Sequence, residues 1–362
     1  MYKLNVLFLN NNFYGSYASN QVFLLETVQA FKSLGVVVRV VSSIDDAVKA
    51  YKEFRPDFTM CFSKYFFFVN GNPLYEIYGV PHYQWISDNP LKMGLDMDSP
   101  FIHYIFIDKE FSLVADVVNK PLYLPLGYLE HCALLPNPEA INAVLVPCKI
   151  RNLDNLTTTI MELPQKKEIL EFLEQYDYNS SFIKAFTSYC YMHEIKNVEK
   201  FFRITNEYVR VKKRLMVVNS IESHKVYIVG DDFGNNLKCK SGVTFIPPKP
   251  YKEIGNLMNR FRFIINVDPN YHACIHDRFI RAVSSGSCCI SNYNEIMAGW
   301  NRNIYNIDQL GQLNSLLEYC DLNWECIVAE QREKVKHFSW QQSAKAIIRH
   351  FYTGEEVDSY AV

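Results

Sequence analysis

Short apolar runs alternate with helically spaced segments along almost the whole chain, and the alternation comes in two series. In the first, Leu4–Leu9 ends in Asn10-Asn11-Asn12. Ser19–Leu34 then sets Leu24, Val28 and Phe31 on one helical face, and Gly35 stops it. Val36–Val41 reads as a strand, Ile44–Phe54 as a helix, and Asp57–Phe62, after Pro56, as a further strand. His82–Ile86, Ile102–Ile107 and Leu122–Leu126 continue the pattern. Short apolar strands separated by helices specify a parallel sheet covered on both faces. The expected fold class is α/β, with residues 1–135 forming a Rossmann-like lobe.

Asn142–Cys148 opens the second series. The charge-rich stretch Thr157–Val218 is mainly helical in pattern. Val226–Val229, Val243–Ile246, Phe263–Val267 and Ser287–Ser291 follow as strands. Residues 136–338 are therefore expected to form a second Rossmann-like lobe. Two open parallel sheets in tandem place a central cleft at the carboxyl ends of their strands, where such folds bind ligands. The closing segment 339–362 carries the helical pattern Gln341–Phe351, which can pack back on either lobe, with the N-terminal lobe the expected one.

Bulk properties narrow the function classes. A chain of 362 residues accommodates two domains. With 37 basic against 39 acidic side chains it lacks the surplus of a duplex-binding protein, so no nucleic-acid partner is expected. The apolar N-terminus is too short to span a membrane and lacks a small-residue cleavage site. No other run approaches the roughly twenty apolar residues of a spanning helix. A cytoplasmic protein without a transmembrane segment is expected, with peripheral membrane contact left open. The cysteines lie mostly inside apolar runs with no Cys-x-x-Cys pair, which fits buried thiols.

The most informative stretch is Val243–Asn292. It runs Val-Thr-Phe245-Ile-Pro-Pro-Lys-Pro-Tyr251, then a strand ending Asn266-Val-Asp268-Pro269. After these come His276-Asp277-Arg278-Phe-Ile-Arg281-Ala282 and Ser284-Ser285-Gly286. This resembles the C-terminal lobe of GT-B glycosyltransferases, nearest to the CgeB-like group and its family-4-type relatives. Trp85-Ile-Ser-Asp88-Asn-Pro90 is similar to the group's Trp-x-x-Asp-x-Pro segment. Leu124–Gly127 resembles its end-of-lobe strand, and Phe338-Ser-Trp340 its closing segment.

The resemblance implies a metal-independent Leloir transferase, retaining in stereochemistry, with a nucleotide-sugar as donor substrate and no cofactor. The donor residues it implies are Gly230, Phe245, Tyr251, His276, Asp277, Arg281, Ser284, Ser285 and Gly286. Arg278 and Lys149, with Arg151 nearby, would neutralise the diphosphate. Helix-start backbone donors at Ser284-Ser285-Gly286, or at His-Asp-Arg, would assist them. Phe245 or Tyr251 would stack on the base. Tyr14 and Gly15 would lie on the acceptor side, and Asp88 would activate the acceptor. The family's ribose-binding Glu is replaced by Arg281, which cannot accept hydrogen bonds. The ribose is then held elsewhere, the donor differs, or transfer has been lost.

Each feature has a plainer reading. His276-Asp277-Arg278 also fits a solvated helix start capped by Asp277, Gly15 a turn glycine, and Asp88 the first residue of a turn. Asp96-Met97-Asp98 has the form of a GT-A metal motif but does not end a strand, and fits a solvated loop. The histidines show no metal-ligand spacing. The basic run Arg210–Arg214 reads as a solvated helix face. The function expected is transfer of a sugar to a glycan, a lipid-linked acceptor or a protein. A nucleotide-sugar epimerase and a non-catalytic nucleotide-sugar-binding protein are the alternatives. The residues do not specify the sugar or the oligomeric state.

Overall fold

In the computed structural model, which describes residues 3–10, 18–63, 67–93, 95, 99–230, 239–268 and 270–361, the two strand series form two separate parallel sheets. The chain divides into a first unit of Met1–Cys132, Pro250–Lys252 and Lys336–Val362, and a second of Ala133–Lys249 and Glu253–Val335.

The first unit runs β1 (Asn5–Leu9), α1 (Ser19–Ser33), β2 (Val37–Val41), α2 (Ile44–Glu53) and β3 (Phe58–Phe62). It continues with β4 (Phe68–Val69), β5 (Asn72–Pro73), α3 (Leu74–Ile77), β6 (His82–Ile86), α4 (Pro90–Met93), β7 (Ile102–Phe106) and β8 (Leu122–Tyr123). The sheet order is β2-β1-β3-β6-β7-β8, and every pairing is parallel. β3 and β6 are buried at all positions, as a sheet covered on both faces requires. The small antiparallel pair β4–β5 is absent from the sequence reading. Its turn is Asn70-Gly71, both at positive φ, the dipeptide favoured in two-residue hairpins.

The second unit contains β9 (Ile141–Pro147), α5 (Leu153–Met161), α6 (Lys166–Gln175), α7 (Phe182–Met192), α8 (Val198–Ser220), β10 (Val226–Val229) and β11 (Thr244–Ile246). Next are α9 (Tyr251–Met258, its first two residues counted with the first unit), β12 (Phe261–Asn266), α10 (Asp277–Ser284), β13 (Cys288–Asn292), α11 (Glu295–Trp300) and β14 (Ile304–Tyr305). α12 (Gln312–Leu322) and α13 (Trp324–Val335) complete it. The order is β11-β10-β9-β12-β13-β14, again parallel throughout. Val144, Val146, Ile228, Phe263, Ile265 and Ile290 are among the sheet's contributions to one core. The charge-rich stretch resolves into four helices, with Phe172, Phe182, Phe186, Phe201 and Phe202 packed among α6, α7 and α8.

The final helix, α14 (Trp340–Thr353), belongs to the first unit and lies against α1. Trp340 reaches the sheet, 5.2 Å from the Trp85 ring and 5.9 Å from Phe62. Its indole N–H donates to Glu26 Oε2 at 2.7 Å. Gly127 permits this docking: a β-carbon there would lie 2.8 Å from the Phe338 carbonyl oxygen. Most cysteines are buried thiols, whereas Cys132 and Cys326 are exposed.

Candidate functional site

The second sheet reverses its strand order between β9 and β12. The carboxyl ends of those two strands therefore flank a topological switch point, the usual ligand position in an open parallel sheet. The chain leaves β9 as Cys148-Lys149-Ile150-Arg151 and β12 as Val267-Asp268. Gly230 ends the neighbouring β10 against Cys148, whose N–H donates to the Val229 carbonyl at 3.0 Å. Lys149 is half-buried just past β9.

Cations gather here from three elements. Arg278, in the first turn of α10, donates from Nη1 to the Val267 carbonyl at 2.9 Å. Arg214 projects from α8, is buried, and donates from Nη1 to the Lys149 carbonyl. Burial first, and then the like charge of Arg210, weaken the hold of Arg214 on its proton. Arg278 adds to the same effect, against the pull of Cys148 and Glu207. A guanidinium nevertheless stays charged in a protein. Glu207 is the carboxylate paired with Arg151 and Arg210, 3.4 Å from Arg151 Nε and 3.8 Å from Arg210 Nη1. Among the described residues, the buried Nε atoms of Arg210 and Arg214 make no hydrogen bond. The cluster is rich in positive charge and short of acceptors, so it is suited to an anion.

Behind it lies a buried polar layer. Asp268 accepts from Asn266 Nδ2 at 2.6 Å and from Asn294 Nδ2 at 2.7 Å, and its N–H donates to Asn292 Oδ1 at 2.6 Å. Burial pushes its carboxyl upward against the pull of His276, the two asparagines and Arg278. Lys213, also buried, is lowered to about 8 by desolvation, with Asp268 and Asp177 opposing. Its Nζ lies 3.4 Å from Tyr176 Oη. The asparagine amides hold this carboxylate in place, and its charge interacts with those of Arg278 and Lys213.

His276, not Asp277, is the cap residue of α10. Its Nδ1 lies 3.1 Å from Arg278 N and 2.8 Å from Asp277 Oδ1. One protonation state cannot serve both contacts: bare Nδ1 caps the helix, and protonated Nδ1 pairs with Asp277. Ser284-Ser285-Gly286 sit at the carboxyl end of α10, which corrects their expected place at a helix start. Their backbone donors are consumed, Ser285 N by Arg281 O and Gly286 N by Val283 O, and both serine hydroxyls donate to Arg281 O. Gly286, at φ 83, packs where a β-carbon would meet Leu135 O at 2.7 Å. These residues build the joint with the 133–136 segment.

The remaining sequence candidates are spread out. Arg281 is half-buried on α10, with its side chain beside Gly255 of α9. Phe245 is 37% exposed on the edge strand β11. Tyr251 counts with the first unit, where its ring meets Phe23 edge-on at 5.0 Å. Asp88, also in the first unit, follows β6 and lies half-exposed, 3.2 Å from Lys92 Nζ. The cap of α4 is Asn89, which accepts from Leu91 N at 2.9 Å. Tyr14, Gly15, Asp96 and Asp98 fall outside the described residues. Sequence reasoning missed Arg210, Lys213 and Arg214, because charged residues in a helix read as solvated. The apolar neighbours Val209, Val211 and Leu215, all buried, were the available signal that this part of α8 turns inward.

No protein-family model and no curated protein sequence matches the chain. Solved structures do. AviGT4, a glycosyltransferase involved in avilamycin A biosynthesis, is similar at a TM-score of 0.58 and 9% identity, over 96% of this chain and 97% of that one. T4 phage β-glucosyltransferase in complex with UDP-glucose is similar at 0.56 and 12% identity, over 97% and 100%. Sucrose-phosphate synthase from Thermosynechococcus elongatus is similar at 0.56 and 9% identity, over 98% and 100%. At these identities the likeness establishes the fold: two six-stranded parallel sheets, as in GT-B glycosyltransferases. Among the described residues, no helix is long and apolar enough to cross a membrane. No group of three or more His, Cys, Asp or Glu among them could hold a metal ion.

Proposed function

We propose that the protein is a Leloir-type glycosyltransferase whose second unit binds the diphosphate of a nucleotide-sugar. The carrying observation is the set of cations at the β9–β12 switch point, Lys149, Arg214 and Arg278, on a fold shared with UDP-glucose-binding transferases. Breaking the sugar–phosphate bond leaves negative charge on the departing phosphate. Fixed guanidinium groups already aimed there stabilise it without reorganisation. Such protein cations supply the neutralisation that a metal supplies elsewhere, which supports metal-independent transfer with no cofactor. Retention of configuration rests on the sequence resemblance alone.

Asp88 is the candidate base on the first unit. Lys92 holds its carboxylate, and as the anion it can accept the proton of an acceptor hydroxyl. A near-neutral chain disfavours a duplex acceptor even though one similar structure is of a DNA-modifying β-glucosyltransferase, so a glycan, lipid-linked sugar or protein is the proposed acceptor class. A cytoplasmic location is part of the same reading, since nucleotide-sugars serve as donors there.

A thermal-shift panel of nucleotide-sugars, followed by donor hydrolysis with and without excess chelator, tests the proposal. The expected outcome is stabilisation by one donor and slow hydrolysis that persists in chelator. Asp88→Asn should abolish turnover while leaving that stabilisation intact. Proton NMR of the first product reads its anomeric configuration. Interconversion of the donor would instead show an epimerase, and binding without turnover a non-catalytic protein.

A further inference from the structure

The second unit holds a cavity of about 550 Å3 whose lining shares no residue with the arginine cluster. Its walls are the Asp177–Ser181 turn, the first turns of α7, His272, and the Tyr293–Glu295 segment that leads into α11. They are tied in place. Asn179 Oδ1 accepts from Ile307 N at 2.7 Å, and the Asn179 carbonyl lies 3.2 Å from His272 Nε2. Ser181 caps α7 by accepting from Lys184 N at 3.0 Å, and Glu295 N donates to the His272 carbonyl at 3.1 Å. The volume falls in the range of small-molecule pockets, roughly 300–1,000 Å3.

The chemistry of the lining selects the occupant. Lys184 Nζ lies 3.4 Å from Glu295 Oε1, and His272 Nδ1 lies 3.8 Å from the same oxygen. Asp177 accepts from Asn179 N at 3.0 Å and its charge is offset by the buried Lys213, so the lining has no surplus positive charge to hold a phosphate. Ala185 is the single aliphatic side chain in the lining, which leaves nothing for a lipid tail or an apolar peptide. What the walls offer is the Ser188 hydroxyl, the Asn179 Nδ2 donor, two carboxylates and the half-buried Tyr293 ring, while Ser180 Oγ donates to the Asp177 carbonyl at 2.8 Å. Closely spaced donors and acceptors beside one aromatic face match a polyhydroxylated ring with its C–H surface. We infer that this cavity binds a neutral saccharide, as a subsite separate from the diphosphate site. The inference deepens the transferase reading and rests on it only for the choice of probes.

Saturation-transfer NMR with maltotriose, cellotriose and tri-N-acetylchitotriose at millimolar concentration tests it, with UDP titrated in the same samples. Ser188 is exposed on α7, so Ser188→Trp fills the cavity without disturbing the core. At least one trisaccharide should bind the wild type, lose its signal with Ser188→Trp, and weaken about tenfold with Asp177→Asn. UDP affinity should stay unchanged in Ser188→Trp. Silence from all three sugars in the wild type, or an equal signal from Ser188→Trp, overturns the subsite. If UDP binds and no trisaccharide does, the subsite alone fails. If a trisaccharide binds and UDP does not, the donor reading alone fails.

Discussion

A β-carbon on Gly230 would lie 2.1 Å from the carbonyl oxygen of Cys148. The two residues directly follow adjacent strands, and Lys149 comes next after Cys148. The obstacle is backbone, so no rotamer change relieves it. Gly230→Ala should cost about 1–3 kcal/mol by forcing the strand ends apart, and should weaken nucleotide binding with it. Melting curves with and without UDP measure both effects. Gly299→Ala is the control, because a β-carbon there meets nothing within 4 Å. Equal stability of the two variants would show that the strand ends relax at no cost.

Arg278 is expected to carry the largest single share of phosphate affinity. Removing its charge-assisted bond should cost about 1.5–3 kcal/mol, so Arg278→Ala should weaken UDP binding roughly ten- to a hundredfold. Arg278→Lys restores the charge but not the planar fork, and should recover only part of the loss. Calorimetric titration of folded variants decides it. An unchanged Kd in Arg278→Ala would remove this residue from the site.

Arg214 should reveal itself through opposite effects on stability and binding. It is buried, near Arg210 and Arg278, and faces a shortage of carboxylates. Replacing a buried, poorly compensated ion by an apolar side chain of similar length is often neutral or stabilising. Arg214→Met should therefore melt at or above the wild-type temperature without ligand, yet lose the upward shift given by UDP. A variant that is strongly destabilised but still shifted by UDP would assign Arg214 a purely structural role.

The strand runs were legible because β-branched residues and turn punctuation are local signals. Ile141–Pro147 and Phe261–Asn266 lie within a few residues of the runs that announce them. The candidate site was legible only in part. Lys149 and Arg278 were candidates through the family resemblance, and the structure places them near the β9–β12 switch point. Arg214 depends on α8 packing against α5, α6 and α7, a tertiary fact that a polar pentapeptide conceals. Ser284-Ser285-Gly286 were placed at the wrong end of α10 because its cap is a histidine, a weaker punctuation mark than Ser, Thr, Asp or Asn.

The first unit should lose stability in mild acid through its buried histidines. His82 is enclosed by Thr59 Oγ1 at 2.7 Å from Nδ1, Cys61 Sγ at 3.3 Å from Nε2, and the stacked Tyr75 ring at 4.9 Å. Burial first, and then the nearby His103, lower it to about 3. Burial and His350 lower His103 to about 4. Both folded values lie below the ordinary one near 6.5. Between those limits the unfolded chain takes up protons that the folded one refuses. The stability is thus present above about pH 6.5 and is lost as pH falls toward 3–4. At pH 5, His82 alone should account for about 2 kcal/mol. His82→Asn keeps a partner for Thr59 and cannot titrate. Its stability at pH 7 should be lower than wild type, but its loss between pH 7 and pH 5 should be smaller. Denaturant unfolding at the two pH values measures this difference, and equal losses in wild type and variant would acquit His82.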